Sequence, residues 1–220
     1  MKSIMKPLSF SNTQAHPGDP LPVHLERVAQ RAAASIAPSA RPEVRLITFL
    51  AGLFHDIGKA TPYFQDYMLK TKKKTELTSH AKSGAVLSWW YSGELDLALW
   101  VRLAIFIAIL RHHGALNFDS WKQSLIRVRC NMKDEEDPLQ QQLSSMDWCG
   151  IHDWFCEVAE RNCSFNLSTS FEPPTLERIK SRLLDRHTAV ASKLRQAFQE
   201  LDEAIEFVAG WGGVACSGQD

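Results

Sequence analysis

The residues best equipped for chemistry are a histidine and an aspartate side by side, His55-Asp56, lying between the apolar Leu53-Phe54 and the stretch Ile57-Gly58-Lys59. A His-Asp dipeptide occurs by chance in many sequences, so its weight rests on other ligand-type residues that can converge on it. His24, His80 and the doublet His112-His113 each fall on or at the end of a helix that the apolar periodicity predicts. These six residues, His24, His55, Asp56, His80, His112 and His113, form a candidate set for holding two metal ions in phosphodiester hydrolysis. An oxygen-only set would suit magnesium or calcium, whereas imidazoles mixed with carboxylate suit first-row transition metals. Five histidines with one aspartate therefore point to manganese, iron, cobalt or nickel, with magnesium also admissible.

Two ions about 3.5–4 Å apart can activate water, polarise a phosphoryl oxygen and stabilise the leaving oxygen of an in-line displacement. Such a centre needs no serine or cysteine nucleophile, and no motif positions one here. Asp56, with two carboxylate oxygens, can bridge two ions. Lys59 has two readings. It can stabilise charge building on a phosphate, which makes it a candidate catalytic residue beside Asp56, or it can compensate the dipole at a helix C-terminus. Lys72, Lys73 and Lys74 form a polar connection that is either a solvated run or a loop touching nucleic-acid phosphates.

The elements that must position these groups are helical. Val23, Val28, Ala29, Ala32, Ala33 and Ile36 give a first helix from Pro22 to the stop at Pro38, with His24 in its first turn; its plain reading is a ring in solvent. Pro42 suits the first turn of a second helix, whose Val44, Ile47, Leu50, Ala51 and Phe54 recur at three and four residues until Gly58 ends it. Neighbouring helical residues point about 100° apart, so His55 and Asp56 cannot share the buried stripe, but at a helix end they can converge on a cluster. Thr61-Pro62 caps and opens a short helix through Tyr63, Phe64, Tyr67 and Met68. Ser79 is expected to cap a helix carrying His80 and the small residues Ala81, Gly84 and Ala85, with Trp89-Trp90-Tyr91 read as core before base-stacking platform. The apolar run Leu95 to Leu110 reads as one central buried helix ending at His112-His113-Gly114.

Further on, Trp121 to Met132 is a basic amphipathic segment and Asp134-Glu135-Glu136-Asp137-Pro138 an acidic turn before a helix near Leu139. Trp148 to Arg161 is helical, with Cys149, His152 and Cys156 along one side; with Trp148, Ile151 and Phe155 around them, a buried face is favoured over a zinc site. Phe171-Glu172-Pro173-Pro174 is a loop, and a long helical pattern runs from Leu176 to about Val208. No internal repeat and no run of strand alternation is visible.

Composition sets the outer bounds. The 220 residues, 45% of them hydrophobic, suit one domain, or a domain with a small subdomain, and a sizeable core. Twenty-five basic and twenty-five acidic residues balance to zero, so any grip on a polyanion must come from local patches. Five cysteines without a CxxC pair suggest reduced thiols and a cytoplasmic setting. Residues 1–20 lack an apolar core of signal-peptide length, and Asp96 and Arg102 interrupt the most apolar stretch, so no membrane association is expected.

Three stretches now combine: Phe54-His55-Asp56-Ile57-Gly58-Lys59-Ala60-Thr61-Pro62-Tyr63-Phe64-Gln65, Ser79-His80-Ala81-Lys82-Ser83-Gly84-Ala85 and Arg111-His112-His113-Gly114. With Ala15-His16-Pro17 and His24-Leu25-Glu26-Arg27-Val28-Ala29 ahead of them, they resemble the HD nuclease of type I CRISPR systems, which occurs alone or fused ahead of the interference helicase. The resemblance runs from about residue 15 to 114. It implies an all-α HD-domain helical bundle around a dinuclear metal site, spanning 1–220 as a single domain with a lead-in at 1–20 and a family-variable helical insertion at about 115–175. It implies a hydrolase of antiviral defence, a metal-dependent endo- or exonuclease cutting single-stranded DNA. Its expected partners are that DNA, the helicase in cis or in trans, and the surveillance complex that opens the target.

The resemblance further implies that His24, His55 and Asp56 hold one ion, and Asp56, His80, His112 and His113 the other. The family usually completes the first ion's ligands with an aspartate near its end, where this chain has Cys216; Cys216, Asp202 or Asp220 can fill that role, or the ion can be held weakly. Two rival functions fit the same motif: an HD-type nucleotide phosphohydrolase, and a catalytically weakened HD module that docks partners.

Overall fold

The structure is a computed structural model and describes residues 6–113, 137–169, 172, 175 and 177–179. Helices dominate it. Helix α1 (Leu21–Ala34) buries Leu21, Leu25, Ala29 and Ala33, a four-residue spacing that keeps them on one face. Helix α2 (Pro42–Phe54) starts on a first-turn proline and packs across α1, burying Phe49, Leu50, Leu53 and Phe54. A short 3-10 turn, Ile57–Ala60, follows, and then α3 (Pro62–Met68), whose first turn is capped by the Thr61 hydroxyl accepting from the Phe64 amide at 3.2 Å.

Helix α4 (Ala81–Glu94) and α5 (Leu99–Leu110) form a second packed pair that lies against α2. Two glycines set how closely α4 approaches. A Cβ at Gly58 would strike the His80 carbonyl and the Ser83 hydroxyl, and one at Gly84 would stand 2.9 Å from the Phe54 carbonyl oxygen. The start of α4 is thus pressed onto the end of α2, which brings His80 beside Asp56. Helix α6 (Pro138–Ser144) braces this junction, because Gln142 donates to the carbonyls of Leu77 and Ser79 at 2.7 and 2.6 Å. Helix α7 (Trp148–Arg161) closes the core, with Phe155 against Phe54 and Tyr91, and Trp154 against Phe10. Part of the segment expected as an insertion therefore supplies core side chains.

Three local expectations are corrected. A two-stranded hairpin, Gln14–His16 with Asp19–Pro20, stands where no strand was expected, turning at Gly18 in the left-handed region (φ 82°). The apolar run from Leu95 is not one helix: α4 continues to Glu94 and α5 begins at Leu99, with Asp96 at φ 50° making the turn. Ser79 does not cap α4; it closes the preceding 3-10 turn Glu76–Thr78, and His80 itself stands at the N-cap. The expectations for Gly114, Trp121 to Met132, the acidic turn before Asp137 and the helix beyond Ile179 lie outside the described residues, as do Cys216, Asp202 and Asp220.

Candidate metal centre

The six ligand-type residues meet at one point. Asp56 leaves the helical path just after α2 (φ −111°, ψ 5°), which frees its carboxylate from the direction dictated by the helix and aims it at the cluster. His55, at the C-cap, comes from α2, His24 from the first turn of α1, His80 from the N-cap of α4, and His112 and His113 from the end of α5. Helix ends supply all six of these groups because there side chains can turn toward a common centre.

The carboxylate sorts the imidazoles between its two oxygens. Near Oδ2 lie His55 Nε2 at 3.2 Å and His24 Nε2 at 3.6 Å. Near Oδ1 lie His80 Nε2 at 3.0 Å and His112 Nε2 at 3.4 Å. His113 joins the second group through its Nε2, 2.8 Å from that of His80. Asp56, His80, His112 and His113 can therefore hold one ion, and His24, His55 and Asp56 another, from the positions of their ligand atoms.

The donor chemistry fits a metal. Three imidazoles have their Nδ1 side anchored: His55 to the Gly52 carbonyl at 2.7 Å, His112 to the Ile109 carbonyl at 2.6 Å, and His24 to Asp19 Oδ2 at 3.0 Å. With Nδ1–H donating to oxygen, Nε2 carries the lone pair and points inward. His24 Nε2, His112 Nε2 and Asp56 Oδ1 are buried without a hydrogen-bond partner; Oδ1 is close to His80 but not aligned for a hydrogen bond. The 2.8 Å between His80 Nε2 and His113 Nε2 suits neighbouring ligand atoms on one ion, since a metal–nitrogen bond of about 2.0–2.1 Å separates right-angled ligands by about 3 Å.

Electrostatics favour the metal-binding protonation states of Asp56, His24, His80 and His113. Burial pushes the Asp56 carboxyl up, but the imidazoles of His112, His55 and His80 outweigh it and hold the group far below the usual carboxylate range. Burial lowers His24, His80 and His113, which favours their neutral forms despite the nearby carboxylate. His112 goes the other way: Asp56 and the Ile109 carbonyl outweigh burial and raise it.

Lys59 faces inward rather than toward a helix end. Its Nζ lies 2.8 Å from Asp56 Oδ2 and donates to the Ala15 carbonyl at 3.2 Å, with both partners of the ion pair buried. Gln65 clamps the same region, its Nε2 donating to the carbonyls of Lys59 and Gln14 and its Oε1 accepting from the Gln14 amide. The lysines of the expected phosphate loop are exposed, and Lys72 pairs with Asp66 at 2.7 Å. His152 and Cys156 touch each other at 3.5 Å on α7, while Cys149 is exposed, so the three do not share one buried face.

Asp19, Arg27 and Gln65, which carry no role in the sequence motifs by themselves, hold the centre from behind. Only the hairpin makes Asp19 a neighbour of His24, and a three-residue strand leaves no alternation to detect.

A helical bundle that gathers a His-Asp pair and four further histidines around a single carboxylate is an HD-domain architecture. The chain belongs to the family of the Cas3 HD domain, whose model matches residues 15–211. It is also similar to the CRISPR-associated nuclease/helicase Cas3 of Haloferax volcanii, with 38% identity over 68 residues, 30% of this chain and 7% of that protein. The family is the one that the sequence motifs resemble, an HD nuclease of type I CRISPR systems. No solved structure matches the chain. Among the described residues, no helix is long and apolar enough to cross a membrane.

Proposed function

We propose that this protein is a metal-dependent nuclease of CRISPR interference that hydrolyses phosphodiester bonds of single-stranded DNA with two transition-metal ions. One observation carries the reading: Asp56 turns one oxygen toward His24 and His55 and the other toward His80 and His112. His24, His55 and Asp56 would hold one ion and Asp56, His80, His112 and His113 the other, and two ions there would activate water and stabilise charge on the phosphate. The chain's own part is to orient. Asp56 fixes the spacing of the two halves, and the imidazoles anchored at Nδ1, those of His24, His55 and His112, turn their Nε2 atoms inward. Lys59 neutralises the carboxylate from the protein side and adds positive potential where phosphate charge grows. Lys72, Lys73 and Lys74 are the candidate contacts to DNA phosphates at the edge of the domain. The helicase, fused or separate, and the surveillance complex are the proposed partners, and 1–220 is proposed as one catalytic domain.

The test is incubation of protein loaded with manganese, or with magnesium, with single-stranded DNA and with a panel of nucleotides and cyclic nucleotides. DNA cleavage, faster with manganese, is expected. Nucleotide turnover with intact DNA makes the protein a nucleotide phosphohydrolase, and metal uptake without turnover of either substrate makes it a docking module.

A further inference from the structure

The two halves of the centre are not anchored alike. His55 and His112 donate their Nδ1 protons to backbone carbonyls three residues back, Gly52 and Ile109, so their orientation comes with the helix. His24 sits in the first turn of α1, where the backbone groups left unpaired by the helix are amides, whereas at the C-terminal ends that carry His55 and His112 they are carbonyls. Its acceptor is a side chain, Asp19 Oδ2, reached at 3.0 Å from the second strand of the hairpin. That oxygen is itself fixed by Arg27, one turn along α1, whose Nη2 donates to it at 2.7 Å. The hairpin is tied to the floor of the centre through Lys59 on the Ala15 carbonyl and Gln65 on the Gln14 backbone.

We infer that Asp19 is a positioning residue for the Oδ2 half of the metal centre, acting through His24 and held in place by Arg27 and the hairpin. This rests on the two-ion reading. The carboxylate selects the tautomer with hydrogen on Nδ1, leaves the Nε2 lone pair facing Asp56, and makes the imidazole a stronger donor to a metal. It takes no part in the Oδ1 half, whose imidazoles come from α4 and α5. Outer hydrogen-bond partners of this kind typically contribute roughly 10–100-fold in metal affinity.

The test is manganese binding to the whole chain, followed by calorimetric titration and electron paramagnetic resonance, for the wild type, Asp19→Ala and Asp19→Asn. Thermal unfolding of each metal-free protein serves as the control for folding. Asp19→Ala is expected to weaken one ion by roughly 10–100-fold, leave the other at wild-type affinity, and replace the signal of a coupled manganese pair with that of an isolated ion. Asp19→Asn keeps an oxygen acceptor for Nδ1 and restores part of the lost affinity. Wild-type binding of both ions by Asp19→Ala, equal weakening of both, or no rescue by asparagine overturns the inference while leaving the nuclease reading intact. A wild-type chain that takes up no manganese overturns that reading and the inference with it.

Discussion

The two sides of the Asp56 carboxylate are built on different principles. The Oδ1 side draws three imidazoles, His80, His112 and His113, from the facing ends of α4 and α5, which pack directly on each other. The Oδ2 side has two imidazoles, His24 and His55, and a buried ammonium, Lys59, on the same oxygen. One side is held by a helix pair and close glycine contacts; the other is held by a hairpin, a carboxylate and a lysine. Among the described residues, therefore, the Oδ1 half is the richer in ligands and the Oδ2 half depends more on its support. A cation beside Oδ2 also meets the charge of Lys59, which raises the energy of holding it there.

The largest effect is expected at the residue the two halves share. Asp56→Ala removes the carboxylate proposed to serve both ions and leaves Lys59 buried without its partner, so it should abolish uptake of both ions. It should also destabilise the metal-free fold by about 3–5 kcal/mol, read from urea unfolding. Stability equal to the wild type would mean that the Lys59 pair does not hold the centre together. Gly58→Ala comes next. Its new methyl meets the His80 carbonyl and the Ser83 hydroxyl, so α4 must shift, costing about 1–3 kcal/mol. That shift should weaken the ion on the Oδ1 side first, and selective loss of the Oδ2 ion would reverse the expected order. The smallest contrast is between two single imidazoles. His24→Ala leaves one imidazole on its side and should lose that ion, whereas His113→Ala leaves His80 and His112 and should retain its ion with weaker affinity. Elemental analysis after dialysis distinguishes the two, and equal losses would erase the difference between the halves.

Much of the frame was legible in the sequence because its signals are local. Pro42 and the spacing from Val44 to Phe54 mark α2, Thr61-Pro62 marks α3, and the helix from Trp148 to Arg161 has the bounds its periodicity suggests. The six ligand-type residues were legible for a related reason: imidazoles and an aspartate at helix ends have few structural uses in such number. What escaped depends on contacts distant in the chain or on very short elements. The break at Leu95–Ala98 is hidden because Leu95 and Leu97 still pack on the core while Asp96 makes the turn. The inward course of Lys59 follows from its meeting the Ala15 carbonyl 44 residues earlier. Asp19 beside His24 is visible only once the hairpin is folded.

The central claim is that one carboxylate spans two ions. Manganese-loaded wild-type protein, measured by elemental analysis together with X-ray absorption, tests it most directly. Two ions per chain separated by about 3.5–4 Å is the predicted result; one ion per chain, or two with no short metal–metal vector, would contradict it.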